Sequence, residues 1–321
     1  REVSAEETSD SCAVATVAAS IPHSSDKARR EEGRQYTAKE PPREGLLRAP
    51  ICCVLGHVDV GKTHVLDNIR RTRVRHAEAG GITQQIGSTF VPADAIYERT
   101  RGLHGQRSDI ELPGLLFIDT PGHASFANLR ARGSGLCDIA LLCVDIMHGL
   151  EPQTIESIAM LRMRKTPFVI ALNKVDRLYG WRAAAESFIR DSMGRQDERV
   201  RIYFEQRTRE VVLQLNEQGL NAELCWSNPD PRTHVSIVPT SAVTGEGIPD
   251  LLRLAVDLTQ TRIAERLAFA NCPEATVLEV NTLHGVGTTM DCILANGKLR
   301  KGDRIVVCGL GGPIGTCVRP L

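Results

Sequence analysis

The sequence predicts an α/β domain with a mostly parallel sheet, followed by a partial β-barrel. From residue 50 to about residue 262, short apolar runs alternate with stretches of helical spacing, which is typical of a sheet covered by helices on both faces. After Pro273 the apolar runs are short and separated by glycines, which indicates a barrel module. Residues 1–46 have no sustained period and are rich in Ser, Glu, Arg and Pro, so we expect a disordered arm or linker. The α/β domain is then expected at 47–268 and the incomplete barrel at 273–321.

The first strand and helix of the α/β domain are predicted on either side of a glycine-rich turn. The apolar run 51–55 predicts a buried strand, and Val65, Leu66 and Ile69 recur at helical spacing after the turn. Residues 56–63 follow the pattern Gly-x4-Gly-Lys-Thr. In the order strand, turn, helix this pattern is typical of a phosphate-binding loop. A glycine-rich turn without a ligand is the alternative.

A loop of this type binds phosphate mainly through its backbone. Its glycines allow N–H groups to surround phosphate oxygens, and the start of the following helix adds a partial positive charge. Lys62 is expected to reach the β- and γ-phosphates, and the Thr63 hydroxyl is expected to bind Mg²⁺. The residues expected to contact the nucleotide here are Asp59, Val60, Gly61, Lys62 and Thr63.

A second polar segment, Asp119-Thr120-Pro121-Gly122-His123, follows the apolar strand predicted at 115–118. Ligand-binding groups collect at the carboxyl ends of strands in open parallel sheets. We therefore expect Asp119 near Mg²⁺, with a water molecule between them, and the Gly122 N–H facing the γ-phosphate. His123 then falls where a water molecule could attack that phosphate, which makes it the candidate catalytic residue.

A third segment, Asn173-Lys174-Val175-Asp176, follows the strand predicted at 168–172 and is expected to select the base. A carboxylate can accept hydrogen bonds from both N1–H and N2–H₂ of guanine. Adenine has neither group at those positions, so Asp176 would be left desolvated and unpaired beside ATP. Lys174 is expected to lay its alkyl stem along the base.

A fourth segment, Thr240-Ser241-Ala242, follows the strand predicted at 235–238. Ser241 and Ala242 can supply a backbone N–H to guanine O6. The tripeptide alone is weak evidence for a guanine site, but its position after Asp176, as the last of four ordered segments, strengthens that interpretation. The ordered set of four segments predicts a P-loop GTPase domain that binds GTP and GDP with Mg²⁺.

The segment 78–87, between the first two motifs, has several glycines and no periodicity, which predicts a mobile loop. Thr83 could close on Mg²⁺ and the γ-phosphate and order the loop only while a triphosphate is bound. An ordinary flexible connection is the alternative. The candidate metal ligands are thus Thr63, Thr83 and Asp119.

The chain resembles the GTPase part of the eukaryotic initiation factor 5B family, which is related to bacterial initiation factor 2. Besides the loops above, the resemblance rests on 137–139 and on Asp145-Ile-Met-His-Gly-Leu-Glu-Pro-Gln-Thr154, and it covers about residues 48–321. The bacterial-type factor is the rival within the family. Its first mobile loop has the order Thr-Gln-His where this chain has Thr83-Gln84-Gln85, so we prefer the eukaryotic type.

The resemblance implies several residue roles. His123 would position the hydrolytic water, with Val58 and Ile82 as the apolar pair that flanks it. Thr83 would sense the nucleotide, and Asp59 would be a ligand of a monovalent cation. The implied function is GTP hydrolysis coupled to the joining of ribosomal subunits. We expect initiator tRNA to be engaged only by later domains of the family that this chain does not contain.

Two other functions stay open from the sequence. One is a nucleotide-gated binding module in which hydrolysis is incidental, and the other is a truncated copy that cannot engage its partner. Lys plus Arg equals Asp plus Glu at 39 each, so no global basic field predicts RNA binding. Ribosome contact would need local patches such as 70–75 and 130–132, although a solvated helix face explains each of them as well.

The cysteines and the hydropathy pattern indicate a cytoplasmic protein. The ten cysteines include no Cys-x-x-Cys pair, and Cys53 and Cys143 lie within apolar strands, where a reduced thiol acts as a small apolar side chain. This suits a reducing compartment. No apolar run approaches the roughly 18 residues that a membrane span needs, so we expect no membrane partner.

Overall fold

The computed structural model describes residues 14–18, 47–70, 87–102, 110–119, 136–270, 272–283, 287–309 and 312–319. The chain divides into two compact units, one formed by Pro50–Arg266 and the other by Arg1–Ala49 together with Leu267–Leu321. The domain limits expected from the sequence stay a prediction.

Twelve strands and six α-helices lie within these described ranges. The strands are β1 (Val14–Ala18), β2 (Ile51–Gly56), β3 (Gly87–Pro92), β4 (Gly114–Asp119), β5 (Ile139–Asp145), β6 (Phe168–Asn173), β7 (Ala222–Leu224), β8 (Val235–Pro239), β9 (Glu274–Leu283), β10 (Gly287–Asn296), β11 (Arg304–Gly309) and β12 (Gly312–Cys317). The helices are α1 (Lys62–Arg70), α2 (Ala93–Thr100), α3 (Pro152–Arg164), α4 (Ile189–Gly194), α5 (Glu198–Glu217) and α6 (Ile248–Arg262). Short 3₁₀ turns occur at Val175–Arg177 and Ala264–Leu267.

The larger unit is built on a sheet with the strand order β3-β4-β2-β5-β6-β8-β7. Every neighbouring pair is parallel except β3 and β4. Strands β2, β4 and β5 are buried along their whole length, as expected for parallel strands that helices cover on both faces. The predicted α/β fold with a mostly parallel sheet is therefore confirmed.

The parallel arrangement brings the predicted motifs to one edge of the sheet. Strands β2, β4, β6 and β8 each end immediately before, or within the first residue of, one of the four sequence motifs. Because parallel strands share one direction, their carboxyl ends meet at the same edge. The fold thus brings together loops that are separated by up to 180 positions in the chain, as the residue numbers 60 and 240 illustrate.

The spacing of the apolar residues over 198–220 predicts a packing helix that Gly219 could cap, and helix α5 confirms it. Its buried face includes Val200, Phe204, Val211 and Leu215. Gly219 follows the helix with a φ of 71°, and its N–H donates to the Asn216 carbonyl. The Leu220 N–H donates to the Leu215 carbonyl, so the helix ends in a Schellman motif that requires a left-handed residue at position 219.

Strand β3 and helix α2 were not predicted from the sequence. Strand β3 is an antiparallel edge strand in which only Val91 is buried, and α2 buries only Ile96 and Thr100. Elements that bury so few side chains have little apolar periodicity, so the pattern alone does not reveal them.

The smaller unit is all-β in its described part. Strands β1, β10 and β9 form an antiparallel sheet in that order, and β11 pairs with β12 in an antiparallel hairpin. Met290 and Cys292 are buried, with Val277 and Val307 packed against them. These antiparallel hairpins agree with the expected partial barrel. Strand β1 differs from the disordered arm expected at 1–46, because the sequence Val-Ala-Thr-Val-Ala pairs with β10 at those five residues.

The apolar role predicted for the strand cysteines is confirmed. Cys53 and Cys143 are both fully buried thiols. Burial raises the pKa of Cys143 to about 12, so its thiol stays neutral at physiological pH. Within the described ranges, no helix combines the length and the apolar character that crossing a membrane requires.

Candidate nucleotide-binding site

The loop between β2 and α1 requires glycine at two positions. Gly56 has a φ of 142° and Gly61 a φ of 94°. A Cβ atom on Gly56 would lie 2.5 Å from the Cys143 carbonyl oxygen, and one on Gly61 would lie 2.5 Å from Asn173 Nδ2. Asp59 also adopts a left-handed conformation, with a φ of 61°, and its side chain is exposed. The tight curvature predicted for a phosphate loop is therefore present here.

Lys62 begins α1 and lies against the backbone of this loop. Its side chain is only 7% exposed, and Nζ donates to the carbonyls of Gly56 at 3.0 Å and His57 at 2.6 Å. The Val65 N–H donates to the Gly61 carbonyl at 2.9 Å, which starts the hydrogen-bond ladder of the helix. An ammonium group held this close to a helix start offers a positive site for an anion.

The residues expected to bind Mg²⁺ suit that ion in their chemistry. Thr63 is the second residue of α1, and Asp119 ends β4, the strand beside β2, where it is almost fully buried. Hydroxyl and carboxylate oxygens are ligands that Mg²⁺ accepts, and Mg²⁺ usually takes its remaining ligands from water and phosphate. The described residues contain no cluster of three or more His, Cys, Asp or Glu suited to a metal.

Asn173 joins the phosphate loop to the fourth motif. It ends β6 and is 1% exposed. Its Nδ2 donates to the Val60 carbonyl at 2.7 Å, and its Oδ1 accepts from the Ala242 N–H at 3.0 Å. A single buried amide therefore sets the spacing between two loops that lie on opposite sides of it in the chain.

Asp176 and Ser241 meet at the predicted base-binding position. The Ser241 hydroxyl donates to Asp176 Oδ1 at 2.6 Å and accepts from the Thr244 N–H at 3.2 Å. Ser241 is buried, whereas Asp176 is partly exposed. One carboxylate oxygen of Asp176 is thus oriented by the protein, which leaves the carboxylate with further acceptor capacity for a ligand.

Lys174 is oriented by an aspartate to which the sequence analysis assigned no role. Lys174 has a φ of 69°, and its Nζ lies 2.7 Å from Asp145 Oδ2. Asp145 ends β5, its side chain is 1% exposed, and it also accepts from the Met147 N–H at 2.8 Å. His148 Nδ1 lies 2.9 Å from Oδ2 of Asp145. Burial alone raises the pKa of Asp145, but the hydrogen bonds from Lys174, Met147 and His148 outweigh it and hold the pKa below its ordinary range.

The segment after β5 also contacts the phosphate loop. Gln153 Oε1 accepts from the Val58 N–H at 3.2 Å, and Glu151 Oε2 lies 2.7 Å from His57 Nε2. Gln153 and Glu151 both belong to the run 145–154, on which the family resemblance partly rests. The sequence alone indicated no physical role for these two residues. The structure brings its two ends to two different loops, one on the phosphate side and one on the base side.

Helix α5 holds the middle of the same segment. Gln214 Oε1 accepts from the Leu150 N–H at 2.8 Å, and Arg207 donates to the carbonyls of Ile146 and Met147. Hydrogen bonds from side chains to an irregular backbone hold that backbone in place. The sequence predicted this helix as a packing element, and its polar face additionally fixes a loop of the candidate site.

Glu246 is a buried carboxylate that sequence reasoning missed. It is fully buried and accepts from Trp181 Nε1 at 3.3 Å, the Ala184 N–H at 3.0 Å and Thr244 Oγ1 at 2.6 Å. Its own carbonyl accepts from the Ser241 N–H at 2.9 Å. A sequence feature that could have pointed to Glu246 is its position between two glycines, shortly after the fourth motif. Glu246 thereby supports the loop that carries Ser241.

Some predicted site residues lie outside the described residues. They are Thr83, Gly122 and His123, together with Ile82. The predicted site residues that the structure describes form two groups at the same edge of the sheet. Those of the phosphate group are Asp59, Val60, Gly61, Lys62, Thr63 and Asp119, and those of the base group are Asn173, Lys174, Asp176, Ser241 and Ala242.

Comparison with known proteins identifies the family. Residues 47–261 match the family described as the elongation factor Tu GTP binding domain. The chain belongs to this family. The match spans the four motif loops and all of the strands from β2 to β8, so this GTP-binding domain coincides with the sheet that carries the candidate site.

Within this GTP-binding family, the chain is similar to initiation factors. It is 57% identical to the eukaryotic translation initiation factor 5B of Saccharomyces cerevisiae over 281 residues, which are 87% of this chain and 28% of that protein. It is 53% identical to the human protein of that name over 298 residues, which are 92% of this chain and 24% of that protein. The chain spans about a quarter of the length of these relatives.

A solved structure shows the same fold. The crystal structure of GDP-bound aIF5B from Aeropyrum pernix is 50% identical in sequence and superposes with a TM-score of 0.75. The match covers 85% of this chain and 46% of that one. The resemblance to the initiation factor 5B family that the sequence suggested is therefore confirmed.

Asp145→Asn is expected to weaken both the fold and nucleotide binding, because it leaves the ammonium of Lys174 without its anionic partner. We expect a loss of about 2 kcal/mol in unfolding free energy and roughly tenfold weaker GDP binding. Since the pKa of Asp145 is lowered in the folded state, its contribution is present at neutral pH and is lost only as the pH falls below about 4. Urea unfolding at several pH values and calorimetry with GDP measure the two effects.

His148→Ala is the matched control for Asp145→Asn. The His148 side chain is 63% exposed, so removing it should change the unfolding free energy by less than about 0.5 kcal/mol. Equal losses in the two variants would contradict a special role of the pair between Asp145 and Lys174.

Proposed function

We propose that this chain binds GTP and GDP at the candidate site and hydrolyses GTP, as the GTPase part of an initiation factor that promotes the joining of ribosomal subunits. The observation that supports this most directly is the bridge made by Asn173 between the phosphate loop and the fourth motif. It links the loop proposed to bind phosphate to the loop proposed to bind the base, at one edge of the sheet. The family match and the initiation factor relatives support the same assignment.

On the phosphate side, Lys62 and the backbone N–H groups of residues 59–63 would hold the β- and γ-phosphates. Such groups are already oriented before the reaction and act where negative charge increases in the transition state. A bound Mg²⁺ would neutralise part of the phosphate charge, and Thr63 and Asp119 are the described residues that would hold it. Thr83 is proposed as its further ligand and as the residue that senses the γ-phosphate.

On the base side, Asp176 would accept hydrogen bonds from N1–H and N2–H₂ of guanine. Ser241 supports this role, since its hydroxyl fixes one carboxylate oxygen. Lys174 is held by Asp145, which would place the alkyl stem of Lys174 beside the base. The backbone N–H of Ser241 or Ala242 is proposed to meet guanine O6. In the structure the Ser241 N–H donates to the Glu246 carbonyl and the Ala242 N–H donates to Asn173 Oδ1.

Hydrolysis would depend on His123, proposed to position the attacking water, and on Gly122, whose N–H would face the γ-phosphate. We propose that the ribosome orders these groups and is the partner of the whole factor. Initiator tRNA would contact other domains of the factor. A monovalent cation at Asp59 is part of the same proposal. We also propose a cytoplasmic location, which agrees with the buried thiols of β2 and β5.

The experiment that tests this function is a calorimetric titration of the purified chain with GTP, GDP and ATP, followed by phosphate release with and without ribosomes. We expect binding of both guanine nucleotides, no measurable binding of ATP, and slow hydrolysis that ribosomes accelerate. The affinity for ATP should be more than about 100-fold lower than that for GTP, because the Asp176 carboxylate would lose its hydrogen-bond partners on the base. Equal affinity for GTP and ATP would contradict the proposed base reading. Ribosome-independent hydrolysis would contradict the proposed partner.

A further inference from the structure

A basic cleft lies at the opposite edge of the sheet from the candidate nucleotide site. It has a volume of about 390 Å³ and is located where β6 and β8 begin, since Phe168 and Val235 both line it. Strand β6 comprises residues 168–173, so at about 3.3 Å per residue its two ends are about 17 Å apart. A ligand in the cleft and a nucleotide at Asn173 could therefore bind at the same time.

The charged side chains around this cleft all have the same sign. The basic cleft is defined by Arg162, Lys165, Arg232, Arg262 and Arg266, with His234 beside them. Among the described residues that line it there is no Asp or Glu. The whole chain has equal numbers of acidic and basic residues, so this local excess of positive charge is a property of the fold and not of the composition.

These cations are exposed, and the ion pairs found among the described residues do not include them. Two of them are oriented by carbonyl groups, which do not neutralise their charge. Arg162 donates to the Gln218 carbonyl, and Arg262 donates to the Pro231 carbonyl. Asp230 accepts hydrogen bonds from the Arg232 N–H and the Thr233 hydroxyl within its own turn. These bonds lower the pKa of Asp230, and the charges of Arg232 and Arg262 add to that effect.

The positive groups come from separate parts of the chain. Arg162 and Lys165 lie at the end of α3, Arg232 lies in the turn before β8, and Arg262 and Arg266 lie at and after the end of α6. Cations at helix carboxyl ends also offset the helix dipole, which accounts for part of their placement. The turn residue Arg232 lies at no helix end, and the five groups together surround one concave surface.

We propose that the basic cleft binds the phosphate backbone of RNA. A polyanion with regularly spaced charges matches several exposed cations around one cleft better than a single anion does, and such contacts need no particular base sequence. Ribosomal RNA as the source of this backbone rests on the proposed function. The cleft would give the domain a second contact with the ribosome, separate from its nucleotide site.

The test compares two triple variants of the full chain that lose the same charge. Lys165→Gln, Arg232→Gln and Arg266→Gln remove three cleft cations whose side chains make no hydrogen bond to the described protein that folding would need. Arg195→Gln, Arg199→Gln and Lys301→Gln remove three exposed cations elsewhere and are the control. Binding is measured with a fluorescently labelled RNA hairpin and with purified ribosomes over a series of salt concentrations, and GDP binding is measured by calorimetry.

The cleft variant is expected to bind the RNA hairpin and ribosomes about tenfold more weakly at 0.1 M salt, and its slope of log affinity against log salt should fall by about 2 to 3. The control variant should bind within about twofold of the wild type, and both variants should bind GDP normally. Equal weakening in the two variants, or no weakening in the cleft variant, would overturn the proposal. A wild-type protein that fails to bind the hairpin would also overturn it.

The same measurements give a different pattern of results if the proposed function, and not RNA binding by the cleft, is wrong. A wild-type chain that binds the hairpin through the cleft but binds neither GDP nor ribosomes would contradict the proposed function and leave RNA binding by the cleft supported. A wild-type chain that binds GDP and ribosomes with no effect of the cleft substitutions would contradict the cleft alone.

Discussion

Asp176→Asn is expected to change the base preference of the site from guanine to xanthine. In the structure the Ser241 hydroxyl donates to Asp176 Oδ1. The same hydroxyl can donate to the oxygen of an asparagine amide, which would direct the NH₂ group to the ligand. That group repels the N1–H and N2–H₂ of guanine, whereas O2 of xanthine can accept from it. Affinity for GTP should fall by about 100-fold or more, which corresponds to about 3 kcal/mol, and affinity for xanthosine triphosphate should rise.

The change in preference is measured by competition of GTP and xanthosine triphosphate against a fluorescent guanine nucleotide. Asp257→Asn is a suitable control, because Asp257 pairs with Arg253 within α6. Adding Ser241→Ala to Asp176→Asn should reduce the new preference, since the amide then lacks its fixed orientation. An unchanged ratio of the two affinities would remove Asp176 from base recognition.

Asn173→Ala is expected to cause the second large loss, because one buried amide serves two loops. The substitution leaves the Val60 carbonyl and the Ala242 N–H without their side-chain partner. Each buried group left unsatisfied costs about 1–3 kcal/mol. We expect the unfolding free energy to fall by about 3 kcal/mol and GDP binding to weaken by about 100-fold, as measured by urea unfolding and calorimetry.

Asn173→Asp separates hydrogen bonding from packing, since it keeps the size of the side chain and an acceptor for the Ala242 N–H. It places a carboxylate oxygen against the Val60 carbonyl, so nucleotide binding should remain weak. Asn228→Ala is the control, because Asn228 donates to Ser236 Oγ at 2.8 Å and to the His234 carbonyl at 3.2 Å, at the other end of β8. The Asn228→Ala variant should have a lower unfolding free energy than the wild type and an unchanged affinity for GDP. Normal GDP binding by folded Asn173→Ala would show that the bridge is not needed.

The strands that carry the motifs could be predicted because their signal is local. The runs 51–55, 115–118 and 168–172 are continuous apolar stretches, and 235–238 is apolar except for the buried Ser236. Such runs are expected for strands buried on both faces, and each lies within an observed strand of the sheet. The edge strand β3 had no such signal, because most of its side chains are exposed or only partly buried. Strand β1 depends on pairing with β10, which begins 273 positions later by the residue numbers 14 and 287.

The residues that support the site could not be predicted, because their partners are distant in sequence. Gln153 and Val58 are 95 positions apart, and Leu150 and Gln214 are 64 positions apart. A glutamine at position 153 or 214 gives no sign in the sequence of the group that it will contact. Only the placement of α5 against the end of β5 gives Gln214 its partner. The same holds for Asp145, whose ion pair with Lys174 joins two neighbouring parallel strands at their carboxyl ends.

The sequence by itself determined which loops could hold phosphate and guanine, because glycine conformations, buried strands and the order of polar groups are encoded within a few neighbouring residues. Only the tertiary structure decided how those loops are held together and where positive charge accumulates. Asn173 reaches both Val60 and Ala242, and five cations from separate segments meet around one cleft, because strand register and helix packing bring distant residues within hydrogen-bond range.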